Sequence, residues 1–264
     1  MYSYVYDAFL AEGRFARELA QIETRLTDLG MTGRIDRLGP LRHPRELLRD
    51  AVRKGARTIV VVGNDDTIRQ VVEVFPDFSV ALGIIPLGTP NRIAQFLGFP
   101  VGAAACDVLS ARIIESVDLG KINKKYFLAA VTIPKGNLTI SCEDLFRVTP
   151  VRGGTVSVCN LMDPEQVQTC NPQDGVFDLY VRPPRGISTF FRHATWRGAR
   201  TSVLPLRRIV VSSGSPEPCT VFVDGDRLEE PSFTIEVAPE KLRMVTGRGR
   251  KFSAHSRQTT RMKN

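Results

Sequence analysis

Two short polar turns carry the residues most able to do chemistry in this 264-residue chain. Val60-Val61-Val62 runs into Gly63-Asn64-Asp65-Asp66-Thr67, and a helical stretch follows from Ile68 to Phe75. About twenty residues on, Ile84-Ile85-Pro86-Leu87 runs into Gly88-Thr89-Pro90-Asn91, followed by Arg92 to Gly98. Each unit reads as a buried strand, a turn and a helix start. In open α/β sheets, ligands bind at this junction, outside the carboxyl ends of the strands. A helix N-terminus there presents unpaired N–H groups and the positive end of its dipole, which suit a phosphate. Two such turns predict one phosphate site built from neighbouring strands, with the amides around Gly63, Thr67, Gly88 and Thr89 as its cradle.

The elements that must position these turns follow from periodicity. Tyr2 to Phe9 reads as a first strand. Phe15, Leu19, Ile22, Leu26 and Leu29 then mark one face of a helix over Glu12 to Leu29. Arg34–Leu38 reads as a short strand, Pro44–Lys54 as a helix, Thr58–Val62 as a buried strand and Cys106–Glu115 as a further helix. Alternating strands and helices predict a Rossmann-like parallel sheet covered on both faces. Near Ser116 the pattern changes to strands: 116–122, 126–133, 137–141, 155–161, 176–182, 208–212, 219–223 and 233–237, interrupted by one helix over Ile187–Trp196. The expectation is an α/β nucleotide-binding domain over 1–120 and a β-rich antiparallel sandwich over 121–247. A basic tail over 248–264 should be disordered.

Bulk properties narrow the class. Apolar residues make up 42% and charged residues 24%, an ordinary globular composition. The apolar runs are strand-sized, so no transmembrane helix is expected. The first residues lack a basic flank and an apolar run, which reads as no signal peptide and a cytoplasmic protein. Five scattered cysteines without a C-x-x-C pair read as free thiols in a reducing compartment. Net charge is +8, and residues 248–264 hold six basic side chains and no acid. The body is therefore nearly balanced, and the tail is either simply solvated or a tether to anionic lipid or nucleic acid. Nucleic-acid binding is the weakest class, because the body has no basic motif interleaved with aromatics.

At the two turns the chain resembles the diacylglycerol kinase catalytic domain and its bacterial lipid kinase relatives, distantly allied to NAD kinase. The family reads Gly-Gly-Asp-Gly-Thr and Pro-x-Gly-Thr-x-Asn-Asp; here stand Gly63-Asn64-Asp65-Asp66-Thr67 and Pro86-Leu87-Gly88-Thr89-Pro90-Asn91-Arg92. Two glycines are replaced, and the final acid has become Arg92. Asp118-Leu119-Gly120, Asp174-Gly175-Val176-Phe177-Asp178 and Asp224-Gly225-Asp226 match later elements of the family. The Asn-Pro that usually ends the family's first strand is missing.

The resemblance implies ATP and magnesium as cofactors and a lipid hydroxyl at a membrane surface as acceptor. It places the active site in a cleft between two domains. Asp65 would stand near phosphates and metal, with Asp118 facing the site. Asp174 and Asp178 would hold a structural magnesium ion. Asp224 would be the general base, with Asp226 in support. Each match also has a plain structural reading. Asp65 could cap the helix near Thr67, and the Asp-Gly pairs at 174 and 224 could be ordinary turns. Arg92 could bind phosphate or face solvent. Asn64 and Asp66, in place of glycine, would survive left-handed backbone but crowd a phosphate. Two functions remain: an ATP-dependent lipid kinase, peripheral to the membrane, or a catalytically weak relative acting as a nucleotide or lipid sensor. A homodimer is compatible with either.

Overall fold

The computed structural model describes residues 1–39, 42–134, 138–149, 154–162, 170–182, 202–213 and 218–252. The expected helix at Ile187–Trp196 and the tail beyond Phe252 lie outside these residues.

The first half alternates as expected. Strands β1 (Tyr2–Tyr6), β2 (Gly33–Arg37), β3 (Thr58–Gly63) and β4 (Ala81–Pro86) are interleaved with helices α1 (Ala16–Asp28), α2 (Pro44–Arg53), α3 (Asp65–Val72), α4 (Arg92–Phe96) and α5 (Ala105–Ala111). The four strands pair in parallel in the order β2-β1-β3-β4. Helices cover both faces, so every residue of β3 and β4 is buried and, Thr58 excepted, their sequences carry no polar side chain. The first strand is shorter than expected: Asp7 ends it by accepting the N–H of Phe9 at 3.1 Å and starting a 3₁₀ turn.

The second half supplies β5 (Ile114–Ile122), β6 (Lys125–Phe127), β7 (Ala130–Ile133), β8 (Leu138–Cys142), β9 (Phe146–Val148), β10 (Thr155–Cys159), β11 (Phe177–Arg182), β12 (Ser202–Leu206), β13 (Arg208–Ser213), β14 (Cys219–Val223), β15 (Asp226–Glu230) and β16 (Ser232–Val245). One sheet of six antiparallel strands runs β12-β11-β10-β7-β14-β15. The remainder join the parallel strands in a ten-stranded sheet, β2-β1-β3-β4-β16-β13-β8-β9, with β5 attached to β16 and β6 to β5. The fold is thus an α/β parallel region followed by an antiparallel sandwich. Phe233 and Ile235 of the large sheet and Val158, Phe177 and Val221 of the small one share the sandwich core.

β9, β12 and β15 have no counterpart among the expected strands, the helix expected over Cys106–Glu115 ends at Ala111, and two further departures change the connections between the sheets. The stretch 126–133 is two strands, not one: β6 pairs with β5 in the large sheet, whereas β7 pairs with β10 and β14 in the small one. The strand expected over 233–237 extends to Val245. It passes a register shift between Val237 and Lys241 and ends beside β4, with Met244 opposite Leu82. β16 therefore belongs to both halves. Just beyond it, Gly247 donates to the Leu97 carbonyl at 2.8 Å and Lys251 to that of Phe96 at 2.9 Å, while the Phe252 and Phe96 rings stack at 5.7 Å. Residues 248–252 of the expected tail are packed on α4. All five cysteines are buried free thiols. Among the described residues, no helix is long and apolar enough to cross a membrane.

Candidate functional site

The first turn is built around the start of α3. Asn64 is its N-cap: its side chain accepts from the amides of Asp66 at 3.1 Å and Thr67 at 3.2 Å. Thr67 completes a capping box, its hydroxyl accepting from the Asn64 amide at 3.1 Å and donating to Asp7 at 2.7 Å. Thr67 is fully buried and lies so close beneath Gly63 that a Cβ there would sit 2.2 Å from the hydroxyl. Gly63→Ala should therefore break the capping box and cost roughly 1–3 kcal/mol, read as a lower midpoint in denaturant unfolding. The left-handed backbone anticipated at Asn64 and Asp66 does not occur: Asn64 is extended, at φ −105°, and Asp66 is helical.

Asp65 reaches across to the second turn. Its amide donates to the Pro90 carbonyl at 2.9 Å, and its carboxylate accepts from the amides of Arg92 at 2.8 Å and Ile93 at 3.0 Å. It thus caps α4, not its own helix. Burial pushes its carboxyl above the ordinary range, and the two amides pull it back. Asn64 Nδ2 also donates to the Thr89 carbonyl, at 2.9 Å. Gly88 takes φ +82°, which glycine tolerates, and the Phe9 ring lies 2.8 Å from where a Cβ would stand. Asn91 is buried behind this turn, donating to the Gly88 carbonyl.

Asp224 sits at positive φ between β14 and β15 and holds the crossing from β6 to β7. Its carboxylate accepts from the amides of Leu128 at 2.8 Å, Ala129 at 2.9 Å and Ala130 at 2.8 Å. Burial pushes this carboxyl up; the three amides and Arg69 oppose the shift. Asp226, two residues on, has a half-exposed side chain paired with Arg69 of α3, and Arg69 also lies 3.8 Å from Asp66.

Two cavities result. One, of about 310 Å³, is lined by Asp65, Asp66, Arg92 and Asp224 on its polar side and by Ile93, Ala129, Met162 and Phe222 on its apolar side. The other, of about 470 Å³, is lined by Phe9, Arg14, Phe15, Asn64, Gly88 and Thr89. They meet along consecutive residues, Asn64–Asp65 and Thr89–Pro90. The two turns and the Asp224 hairpin therefore come together. Gly63 and Thr67 lie beneath the first turn and line neither cavity.

Asp118, Asp174 and Asp178 stand elsewhere. Asp118 is buried in β5, paired with Lys241 at 2.7 Å and accepting the Gly175 amide at 2.7 Å. Asp174 accepts the Val176 amide at 3.2 Å, closing its own turn. Asp178 lies in β11 opposite Cys159. Among the described residues, no three His, Cys, Asp or Glu side chains gather to hold an ion. Magnesium wants oxygen ligands in near-octahedral array. Asp65, Asp118, Asp224 and Asp226 direct their oxygens at amides, at Lys241 and at Arg69, while Arg92 adds a cation to the cavity wall. These residues do not fit a protein-held magnesium ion. Sequence reading missed Phe9, Phe15, Met162, Phe222 and Arg69. Only Arg69 left a signal, its i,i+3 spacing from Asp66.

The model of the diacylglycerol kinase catalytic domain family matches residues 5–122. A "Probable lipid kinase YegS-like" of Pseudomonas aeruginosa is 36% identical over 90 residues, 33% of this chain and 30% of that protein. A "Diacylglycerol kinase" of Mycobacterium tuberculosis is 36% identical over 86 residues, 32% of this chain and 28% of that protein. The matches thus span less than a third of these relatives' length. The crystal structure of a diacylglycerol kinase from Bacillus anthracis superposes with a TM-score of 0.75 over 94% of this chain and 97% of that one, at 17% identity. Over residues 5–122 the chain is similar to the diacylglycerol kinase catalytic domain family, and its fold is that of the Bacillus anthracis structure.

Proposed function

We propose that the protein transfers the γ-phosphoryl group of a nucleotide, ATP, to a hydroxyl of diacylglycerol or a related lipid at a membrane surface. One observation carries this reading: two cavities of different character meet at the two family turns. The larger has aromatic rings, a guanidinium and the left-handed Gly88 turn, which suit a base and its phosphates. The smaller has an apolar wall, which suits the glycerol end of a lipid, and a polar wall facing the first cavity.

In this reading the acceptor hydroxyl oxygen attacks the γ-phosphorus, the bond to the β,γ-bridging oxygen breaks, and ADP leaves. The proton passes to a carboxylate. Asp226 is the better receiver, because its side chain is half exposed, whereas Asp224 spends its oxygens on three amides. Asp224 is then a positioning residue that keeps the hairpin over the cavity. Magnesium, expected from the resemblance, has no protein-built seat and enters no step here.

A sensor that binds without transferring is the second reading. It is favoured by the caps: amides at the starts of α3 and α4 already bond to Asn64 and Asp65. The two are separated by following the γ-phosphate of labelled ATP into diacylglycerols and related lipids in mixed micelles, with nucleotide binding measured in parallel. Lipid phosphorylation supports the kinase. Nucleotide binding without any transfer supports the sensor, and absence of both discards the nucleotide site.

The caps also give a prediction. Asn64→Gly removes the carboxamide and frees the Asp66 and Thr67 amides, while Gly at an N-cap costs only a few tenths of a kcal/mol relative to Asn. ATP affinity should rise on the order of tenfold in calorimetric titration, the scale of one charge-assisted hydrogen bond. Unchanged affinity would mean that phosphate never approaches this helix.

A further inference from the structure

Arg69 stands one helical turn beyond Asp66 on α3, and its guanidinium reaches from the α/β half to the sandwich. Nη1 donates to Oδ2 of Asp226 in β15, and Nη2 lies 3.8 Å from Asp66. The Arg69 side chain is largely covered and that of Asp226 half exposed, so the guanidinium is the fixed member of the pair. Burial pushes the Asp224 carboxyl up and the same guanidinium helps to oppose that shift, which sets its charge beside the whole turn from 224 to 226. Among the described residues, Oδ1 of Asp226 accepts no hydrogen bond. The smaller cavity is walled on one side by Asp65 and Asp66 of α3 and on the other by Asp224 and Gly225 of the hairpin. One helix therefore carries both a wall of that cavity and the group that holds the hairpin opposite.

Building on the transfer reading above, we propose that Arg69 is a positioning residue for the reaction: it grips one oxygen of Asp226 so that the other is held at the cavity edge to receive the acceptor's proton. The grip is directional, because guanidinium N–H groups lie in a rigid plane. It also crosses between the two halves, so it fixes the carboxylate relative to the turns at Asn64 and Gly88. As the acceptor oxygen bonds the γ-phosphorus, its O–H bond breaks and the proton passes to Oδ1; the bond from Arg69 to Oδ2 is kept throughout. Misplacing a reacting group by about 1 Å costs on the order of a hundredfold in rate, far more than a half-exposed ion pair contributes to stability.

The test is a kinetic double-mutant cycle on the full chain, with labelled ATP and diacylglycerol in mixed micelles, for wild type, Arg69→Gln, Asp226→Asn and the double variant, with Arg69→Lys beside them. Thermal unfolding checks that each variant folds. Arg69→Gln should lower kcat about tenfold or more and leave KM for ATP and for the lipid within about threefold, with Arg69→Lys in between. On the Asp226→Asn background the same change should alter kcat less than about twofold, because groups that act as a unit are not additive. Hydrogen exchange reads the grip without activity: residues 219–230 should exchange roughly two- to fivefold faster in Arg69→Gln than in wild type.

Unchanged kcat in Arg69→Gln overturns the inference and leaves the transfer reading standing. So does a loss that multiplies in full with that of Asp226→Asn, which would mean that Arg69 acts by another route, or a loss confined to KM. Unaltered exchange over residues 219–230 overturns the grip itself. Absence of any transfer by the wild-type protein removes the inference and the transfer reading together.

Discussion

Asp224→Asn should lower the melting temperature by roughly 6–12 °C. The carboxylate accepts three amides at 2.8–2.9 Å at the point where the chain leaves the large sheet for the small one. An asparagine offers one carbonyl oxygen and turns an NH₂ group, itself a donor, toward the remaining amides. Leaving buried donors unsatisfied costs about 1–3 kcal/mol, and bonds to a charged acceptor stand at the upper end. With about 3 kcal/mol lost, and roughly 2–4 °C per kcal/mol for a chain of this size, the shift follows. Thermal unfolding followed by circular dichroism checks it. An unchanged midpoint would show that the carboxylate is not holding the crossing and would restore Asp224 as a candidate base.

The second large effect is on turnover. Asp226→Asn should leave the melting temperature within about 2 °C of wild type, because a half-exposed ion pair such as Arg69–Asp226 contributes about 0–1 kcal/mol. If Asp226 receives the acceptor's proton, lipid phosphorylation should fall about a hundredfold or more, the scale of general acid–base catalysis. Nucleotide affinity should not change, since Asp226 follows Gly225 at the edge of the acceptor cavity and is absent from the wall of the nucleotide cavity. Equal activity in the variant and in wild type would exclude Asp226 as the base. A loss confined to KM for the lipid would instead assign it to acceptor binding.

The parallel half was legible because its signals are local. Val60-Val61-Val62 and Ile84-Ile85 are apolar without alternation because both faces of their strands are covered, and polar turns follow each. The sandwich was legible as a class but not in its connections. Alternation through 126–133 carries no mark of a change of sheet, because the group that enforces it, Asp224, lies more than 90 residues away. The far half of β16 was invisible for a similar reason: the register shift after Val237 breaks the period that identifies a strand.

At the site, the two turns and the Asp224 hairpin could be read as partners, and the cavity at Asp65, Asp66, Arg92 and Asp224 brings them together. The division of labour among the acids could not be read. Whether a carboxylate caps its own helix or a neighbour's, as Asp65 does for α4, depends on contacts between segments. The same is true of Phe9, whose approach to Gly88 depends on how the 3₁₀ turn after β1 falls against the second turn.

The last described strand also bears on how the chain comes off the ribosome. β4 is flanked by β3 on one side and by β16 on the other, and β16 lies some 150 residues further along. Until those residues emerge, the nascent α/β half carries an open, apolar strand edge, the kind of surface that templates association between chains. A product cut near residue 120 would keep that edge permanently. It should form aggregates in cells that the full chain does not, and supplying residues 202–252 as a separate piece should partly restore its solubility.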